Sequence, residues 1–168
     1  RHYITALANT VSEYMHEHGK PDKLVLSYHG MPELFYQWGD PYYDFCQITT
    51  NLLKQELLSR SLSKELCLAD ECFVMTFQSR FGKAKWLQPY TDEALKNLAK
   101  EGHNHVAIIS PAFSADCLET LEELEHENRD VFKQAGGEHY HYIAALNDRD
   151  DHIEALVNIL KPTLDSLN

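Results

Sequence analysis

Two stretches, Leu24-Val25-Leu26-Ser27 and Val106-Ala107-Ile108-Ile109-Ser110, narrow the choice of fold more than anything else in the chain. Neither alternates polar with apolar residues. A strand with one wet face shows that alternation; a strand covered on both faces reads as a continuous apolar run. Chain-turning residues bound both runs: Asp22 before the first, Gly30 and Pro32 after it, and Pro111 after the second. They read as short buried strands of a parallel sheet with helices on both sides.

The rest of the chain supplies those helices. Residues 3–18 carry Ile4, Leu7, Ala8, Val11 and Met15 at helical spacing, and Gly19 and Pro21 end the pattern. Residues 23–28 form the first expected strand. The loop 29–40 holds Phe35, Tyr36 and Trp38, which suit the wall of an apolar site. Asp40 as N-cap and Pro41 at the first helical position open a helix to about residue 60, with Phe45, Ile48, Thr49, Leu52, Leu53 and Leu57 as its expected inner face. Residues 72–77 are a second strand, 78–89 a long loop, and 91–100 a third helix. The strand 106–110 follows, then a long helix over 117–134, a weaker strand over 139–144, and a last helix over 148–160 that stops before Pro162.

Strands that alternate with helices in this way imply parallel βαβ units with right-handed crossovers. The expected fold is therefore an α/β three-layer sandwich with a four-stranded parallel sheet in the order 2-1-3-4, as one domain over residues 1–168. Ligands of open α/β sheets bind at the carboxyl edge, where successive crossovers go to opposite sides. In this order that point lies between strands 1 and 3. It sets His29, after strand 1, opposite the start of the helix over 117–134.

Composition removes several classes of function. The net charge of −11 disfavours nucleic-acid phosphates and anionic lipid. No apolar run approaches the roughly 20 residues that span a bilayer. The chain opens Arg1-His2-Tyr3, without an initiator Met or a signal-peptide pattern, so it reads as a fragment or processed piece. Cys46, Cys67, Cys72 and Cys117 form no C-x-x-C pair and are expected to be reduced cysteines of a cytoplasmic protein. The pairs His16/His18, His103/His105 and His139/His141 read as scattered polar surface, because no third ligand lies near each pair in sequence.

Glu119, Glu123 and Glu127 recur every four residues on the expected helix after strand 3, beside an inward stripe of Leu118, Leu121, Leu124, Val131 and Phe132. Stacked carboxylates repel by a few tenths of a kcal/mol, which a cation would relieve. Glu122 and Glu125 read as a solvated acidic face. An imidazole with a carboxylate suits Fe(II), Zn(II) or Co(II). His29 and Glu119 alone would make a weak, open site, better fitted to transient handling of a metal than to storage.

The ordered motifs resemble one family. They are Ser27-Tyr28-His29-Gly30-Met31-Pro32, Gly39-Asp40-Pro41-Tyr42, Gln78-Ser79-Arg80-Phe81-Gly82, Trp86-Leu87 with Pro89 and Thr91-Asp92-Glu93, and Ser114-Ala115-Asp116-Cys117-Leu118-Glu119-Thr120-Leu121. Together they resemble ferrochelatase, which inserts Fe(II) into protoporphyrin IX to form protohaem. The resemblance covers nearly the whole chain but only the carboxyl-terminal half of such an enzyme, one of two similar α/β halves of the class II chelatase fold. It implies that the amino-terminal half is absent and that the isolated half is inactive.

By position, the resemblance makes His29 the active-site histidine, an iron ligand and acceptor of a pyrrole proton. Glu119 becomes the glutamate facing it, and Glu123 a further metal-handling position that Glu127 extends. Trp86, Tyr28 and Met31 are expected to contact the substrate. Cys117 stands where many members carry histidine, so no third ligand is expected there. The resemblance implies a bacterial type with no iron–sulfur cluster and no tightly bound cofactor, and peripheral membrane association of the intact enzyme. Two other readings stand beside it: a class II chelatase for another metal or tetrapyrrole, and a non-catalytic ligand-binding lobe. A flavodoxin-like domain lacks support, because His-Gly-Met-Pro replaces a phosphate-cradling turn after strand 1.

Overall fold

The two continuous apolar runs become the two central strands of a four-stranded parallel sheet. The computed structural model describes residues 1–167, Ser63 by its backbone alone. In chain order the elements are α1 (His2–His18), β1 (Lys23–His29), α2 (Glu33–Gln37), α3 (Tyr42–Ser59), α4 (Ser61–Glu65), β2 (Phe73–Gln78), α5 (Thr91–Lys100), β3 (His105–Ile109), a π-helix (Glu119–Glu127), α6 (Asn128–Gln134), β4 (His139–Ile143) and α7 (Asp150–Asp165). The sheet order is β2-β1-β3-β4, as expected.

Strand pleating sorts the side chains between two cores. Leu24, Leu26 and Tyr28 of β1 pack with Leu7 and Val11 of α1 and with Leu53 and Leu57 of α3. Val25 packs on the other face with Leu95, Leu98, Leu124 and Phe132, from α5, the π-helix and α6. Each fully buried Leu or Phe is worth about 1.5–3 kcal/mol. By the same parity Ser27 and His29 belong to the face that carries α5 and the π-helix. The switch point thus places the two chemistry-bearing loops at one end of one face.

Four expectations need correction. The inner face of α3 is Cys46, Leu53 and Leu57, whereas Phe45, Ile48 and Leu52 are 59%, 52% and 46% exposed. At 3.6 residues per turn the first three fall within an arc of roughly 40°, and the others lie more than about 100° around the helix. Apolar residues thus occupy two sides of α3, and the sheet covers one of them.

The helix after β3 is not a single α-helix. It begins as the π-helix and becomes α6, and Leu118 and Leu121 are exposed. Its buried residues are Thr120, Leu124, Asn128 and Phe132, one every fourth position. A four-residue step overshoots one turn of an α-helix by about 40° and falls short of the wider π turn. Passing from π to α lets the two drifts oppose each other and keeps the buried line on the sheet.

The final helix runs through Pro162 to Asp165 rather than stopping before it. The histidines also do not scatter. His18, His105, His139 and His141 gather at the amino edge of the sheet, with ring centroids 4.6 Å apart for His18–His141, 5.6 Å for His105–His141 and 5.9 Å for His105–His139. Parallel pairing of β3 with β4 puts His105 beside His139 and Ala107 beside His141. The cluster forms from residues that are remote in sequence.

Candidate active site at the carboxyl edge of the sheet

His29 is the last residue of β1, paired with Gln78 at the end of β2. Its Nδ1 lies 2.7 Å from the carbonyl oxygen of Gly30. A carbonyl can only accept, so Nδ1 carries a ring proton, which leaves Nε2 as the nitrogen free for other chemistry. The carbonyl of His29 accepts the Tyr42 hydroxyl at 2.9 Å, and the ring sits beside Phe113 with centroids 6.3 Å apart. Gly30 is required by space: its N–H donates to the Gln78 carbonyl at 2.7 Å, and a Cβ there would also meet that oxygen at 2.7 Å and Trp86 at 3.0 Å.

The opposite wall starts from Asp116. Its carboxylate accepts the hydroxyls of Tyr142 (2.6 Å) and Thr120 (3.0 Å), the side-chain amide of Asn147 (2.8 Å) and the N–H of Ala145 (3.3 Å). Burial alone would raise its pKa; these donors outweigh it and hold the carboxyl below its ordinary value. The network ties the turn before the π-helix to the residues that follow β4.

Glu119, the first π-helix residue, is exposed. Its pKa is lowered, first by the Cys117 thiol, next by its own backbone N–H, and further by the His29 imidazole acting through space. Gln78 bonds to both neighbourhoods: its carbonyl accepts the Gly30 N–H and its side-chain amide donates to the Glu119 carbonyl, so His29 and Glu119 share one end of the sheet. Glu123 is differently held. Its Oε1 accepts the Ser79 N–H at 2.7 Å and its Oε2 the Ser79 hydroxyl at 2.5 Å. Ser79 does this from the left-handed region, at φ 64°. Glu119, Glu122, Glu123 and Glu127 line one groove with Leu118. Among the described residues no three His, Cys, Asp or Glu side chains converge to hold a metal ion. The arrangement sets His29 at the end of β1 and an acidic groove headed by Glu119 at the same end of the sheet.

The three residues expected at a substrate sit at different depths. Met31 is half-buried and packs against the core, and its carbonyl accepts the Leu87 N–H at 2.9 Å. Trp86 is 5% exposed, its indole N–H has no partner among the described residues, and its ring meets Phe81 at a centroid distance of 5.0 Å. Trp86 also borders a cavity of about 280 Å³ with Tyr36, Tyr43 and the Glu33–Lys85 ion pair. Tyr28 is 1% exposed, with its ring in the core on the α1/α3 side and its hydroxyl 2.9 Å from that of Thr50. Three residues of this site were not assigned a role from sequence: Gln78, Ser79 and Asp116. The first two stand together at a strand end, and all three lie within the quoted motifs. That placement was the available signal.

Comparison with known proteins agrees with the architecture. The family model described as Ferrochelatase matches residues 1–164. The chain is 57% identical over 162 residues to Ferrochelatase 2 of Shewanella oneidensis, covering 96% of this chain and 47% of that protein. It is 51% identical over 158 residues to the ferrochelatase of Hydrogenovibrio crunogenus, covering 94% of this chain and 39% of that one. The chain therefore spans about half or less of the length of these curated relatives. Among solved structures, SirB from Bacillus subtilis with Fe3+ superposes with a TM-score of 0.59 at 17% identity, over 95% of this chain and 54% of that one. A CbiX protein of Marinobacter aquaeolei gives 0.53 at 11% identity, over 87% and 99%. Those two likenesses concern the fold; the match over residues 1–164 and the identity to the curated relatives carry the assignment, and the chain belongs to the ferrochelatase family.

Proposed function

We propose that this chain is the metal-handling half of an enzyme that inserts Fe(II) into protoporphyrin IX. The observation that carries the reading is the His29 ring pinned through Nδ1 at the end of β1, with Glu119 tied to the same strand edge through Gln78, whose carbonyl accepts the Gly30 N–H and whose amide donates to the Glu119 carbonyl. Metallation removes two pyrrole protons and places one divalent ion in the macrocycle. His29 Nε2 accepts a proton, or donates its lone pair to the arriving iron, and Glu119 stabilises the resulting positive charge. In this reading both oxygens of Glu123 are held by Ser79, so Glu123 takes up iron by exchanging those donors, and Glu127 extends the groove. Trp86 and Met31 shape the wall toward the porphyrin, and Tyr28 supports His29 from below the sheet. The other wall of the cleft belongs to the amino-terminal half of the same enzyme, and the 168-residue piece is inactive without it.

In this reading the chain binds no iron–sulfur cluster and no resident cofactor, and the intact enzyme works in the cytoplasm with peripheral membrane contact. Among the described residues no helix is long and apolar enough to cross a membrane.

The test is insertion of zinc or ferrous iron into protoporphyrin by the full-length gene product. His29→Ala is expected to lower turnover by about 10²–10⁴-fold, the range for loss of a positioned acid–base group. Glu119→Gln is expected to lose most activity while remaining folded. Undiminished turnover by His29→Ala refutes the assignment.

A further inference from the structure

We infer that Gln78 is a positioning residue that sets the alignment of His29 with Glu119; the inference rests on the chelatase reading of that pair. Gln78 closes β2 opposite His29 and is 3% exposed. Three of its polar groups reach three different places. Its main-chain carbonyl accepts the Gly30 N–H at 2.7 Å. Its side-chain Oε1 accepts the Ser27 hydroxyl at 2.8 Å. Its Nε2 donates to the carbonyl of Glu119 at 2.9 Å.

The orientation of the amide follows from these partners. The Glu119 carbonyl can only accept, so the amide NH2 must face it, which leaves Oε1 for Ser27. Ser27 is fully buried, its hydroxyl also lies 2.9 Å from that of Thr91, and its carbonyl accepts the Ser110 hydroxyl at 2.7 Å. Gln78 is thus clamped at one end by a buried polar network and holds the first residue of the π-helix with the other. Ser79, next in the chain, fixes Glu123 one turn further on.

A buried amide is costly unless its donor and acceptor are both paired, and an apolar residue of similar length would fill the same space. What the amide adds is direction. Glu119 approaches His29 from a π-helix whose start lies 41 residues along the chain from Gln78. The backbone bond to Gly30 and the side-chain bond to Glu119 leave from one residue. A single rigid piece therefore references both the histidine loop and the glutamate. Displacing a reacting group by about 1 Å costs on the order of 10²-fold in rate.

The experiment uses the full-length gene product and zinc or ferrous insertion into protoporphyrin. Gln78→Met keeps the side chain's length and removes both amide bonds. The expected result is a kcat lowered by about 10- to 100-fold, with KM for the porphyrin little changed. Thr76→Val is the control. Thr76 is buried in the same network, accepting the Thr91 hydroxyl at 2.9 Å, and has no bond to Glu119. Its kcat is expected to stay near that of the parent even where its melting temperature falls. If Gln78→Met does not fold, Gln78→Glu keeps the acceptor for Ser27 and loses the donor toward Glu119, and the same split between kcat and KM is expected. A Gln78 variant with parental kcat overturns the inference. So does a Thr76→Val that loses kcat in step with stability as the Gln78 variants do. A parent that does not metallate, or a fully active His29→Ala, instead brings down the chelatase reading itself.

Discussion

Replacing Gly30 with alanine is expected to unseat the strand end that carries His29. An added Cβ stands 2.7 Å from the Gln78 carbonyl oxygen, about 0.7 Å inside the 3.4 Å at which ordinary contact begins (3.4 less 2.7). It also stands 3.0 Å from a ring carbon of Trp86. A flexible side chain could step aside, but this oxygen is backbone. It ends β2 and accepts the Gly30 N–H at 2.7 Å. Relief therefore requires the β1 and β2 ends to part, at the cost of about 1 kcal/mol for the hydrogen bond and about 1–3 kcal/mol for overpacking. The total is about 2–4 kcal/mol, or a melting temperature lower by roughly 5–15 °C at about 2–4 °C per kcal/mol for a domain of this size. Thermal unfolding followed by far-UV circular dichroism measures it. Activity of the full-length protein should fall further than stability, because His29 Nδ1 is anchored on the carbonyl of Gly30 itself. A Gly30→Ala protein that melts within about 2 °C of the parent and keeps its turnover would refute the steric argument.

Gly137→Ala offers the contrasting case. A Cβ there would collide with three carbons of the Phe132 ring, which is fully buried. The expected loss is about 2–4 kcal/mol of stability with turnover per folded molecule unchanged, and a selective drop in kcat would contradict it. The histidine cluster gives a pH dependence. Burial first, and then neighbouring imidazoles, lower the pKa of His105 (opposed by Asp22) and of His141. The folded state therefore binds fewer protons than the unfolded one. The stability linked to these groups is complete above the ordinary histidine value of about 6.5 and is lost as pH falls through and below it. Urea midpoints at about pH 7.5 and about pH 5.5 should fall less in His141→Gln than in the parent, and parallel losses in the two proteins would refute the coupling.

Much of the fold could be read from residues because it depends on local chemistry. Unbroken apolar runs require cover on both faces, and strict alternation along β1 decides that His29 shares a face with Val25 and Ser27 once Leu24 and Leu26 lie on the other. The sheet order follows from parallel crossovers that reverse direction between β1 and β3. Periodicity was a poorer guide where apolar residues occupied two sides of a helix, as on α3, because it cannot say which side the sheet covers.

The histidine at a strand end and the glutamates after β3 were determined by the sequence alone, since each follows from motif, strand parity or spacing within a few residues. The tertiary structure decided what holds them. The Ser79 grip on Glu123 spans 44 residues of chain, the Gln78 bond to Glu119 spans 41, and the four histidines meet only through the pairing of β3 with β4 and the packing of α1. Hydrogen-bond partners at such separations are chosen by the path of the backbone through space. No local pattern of residue types encodes that path.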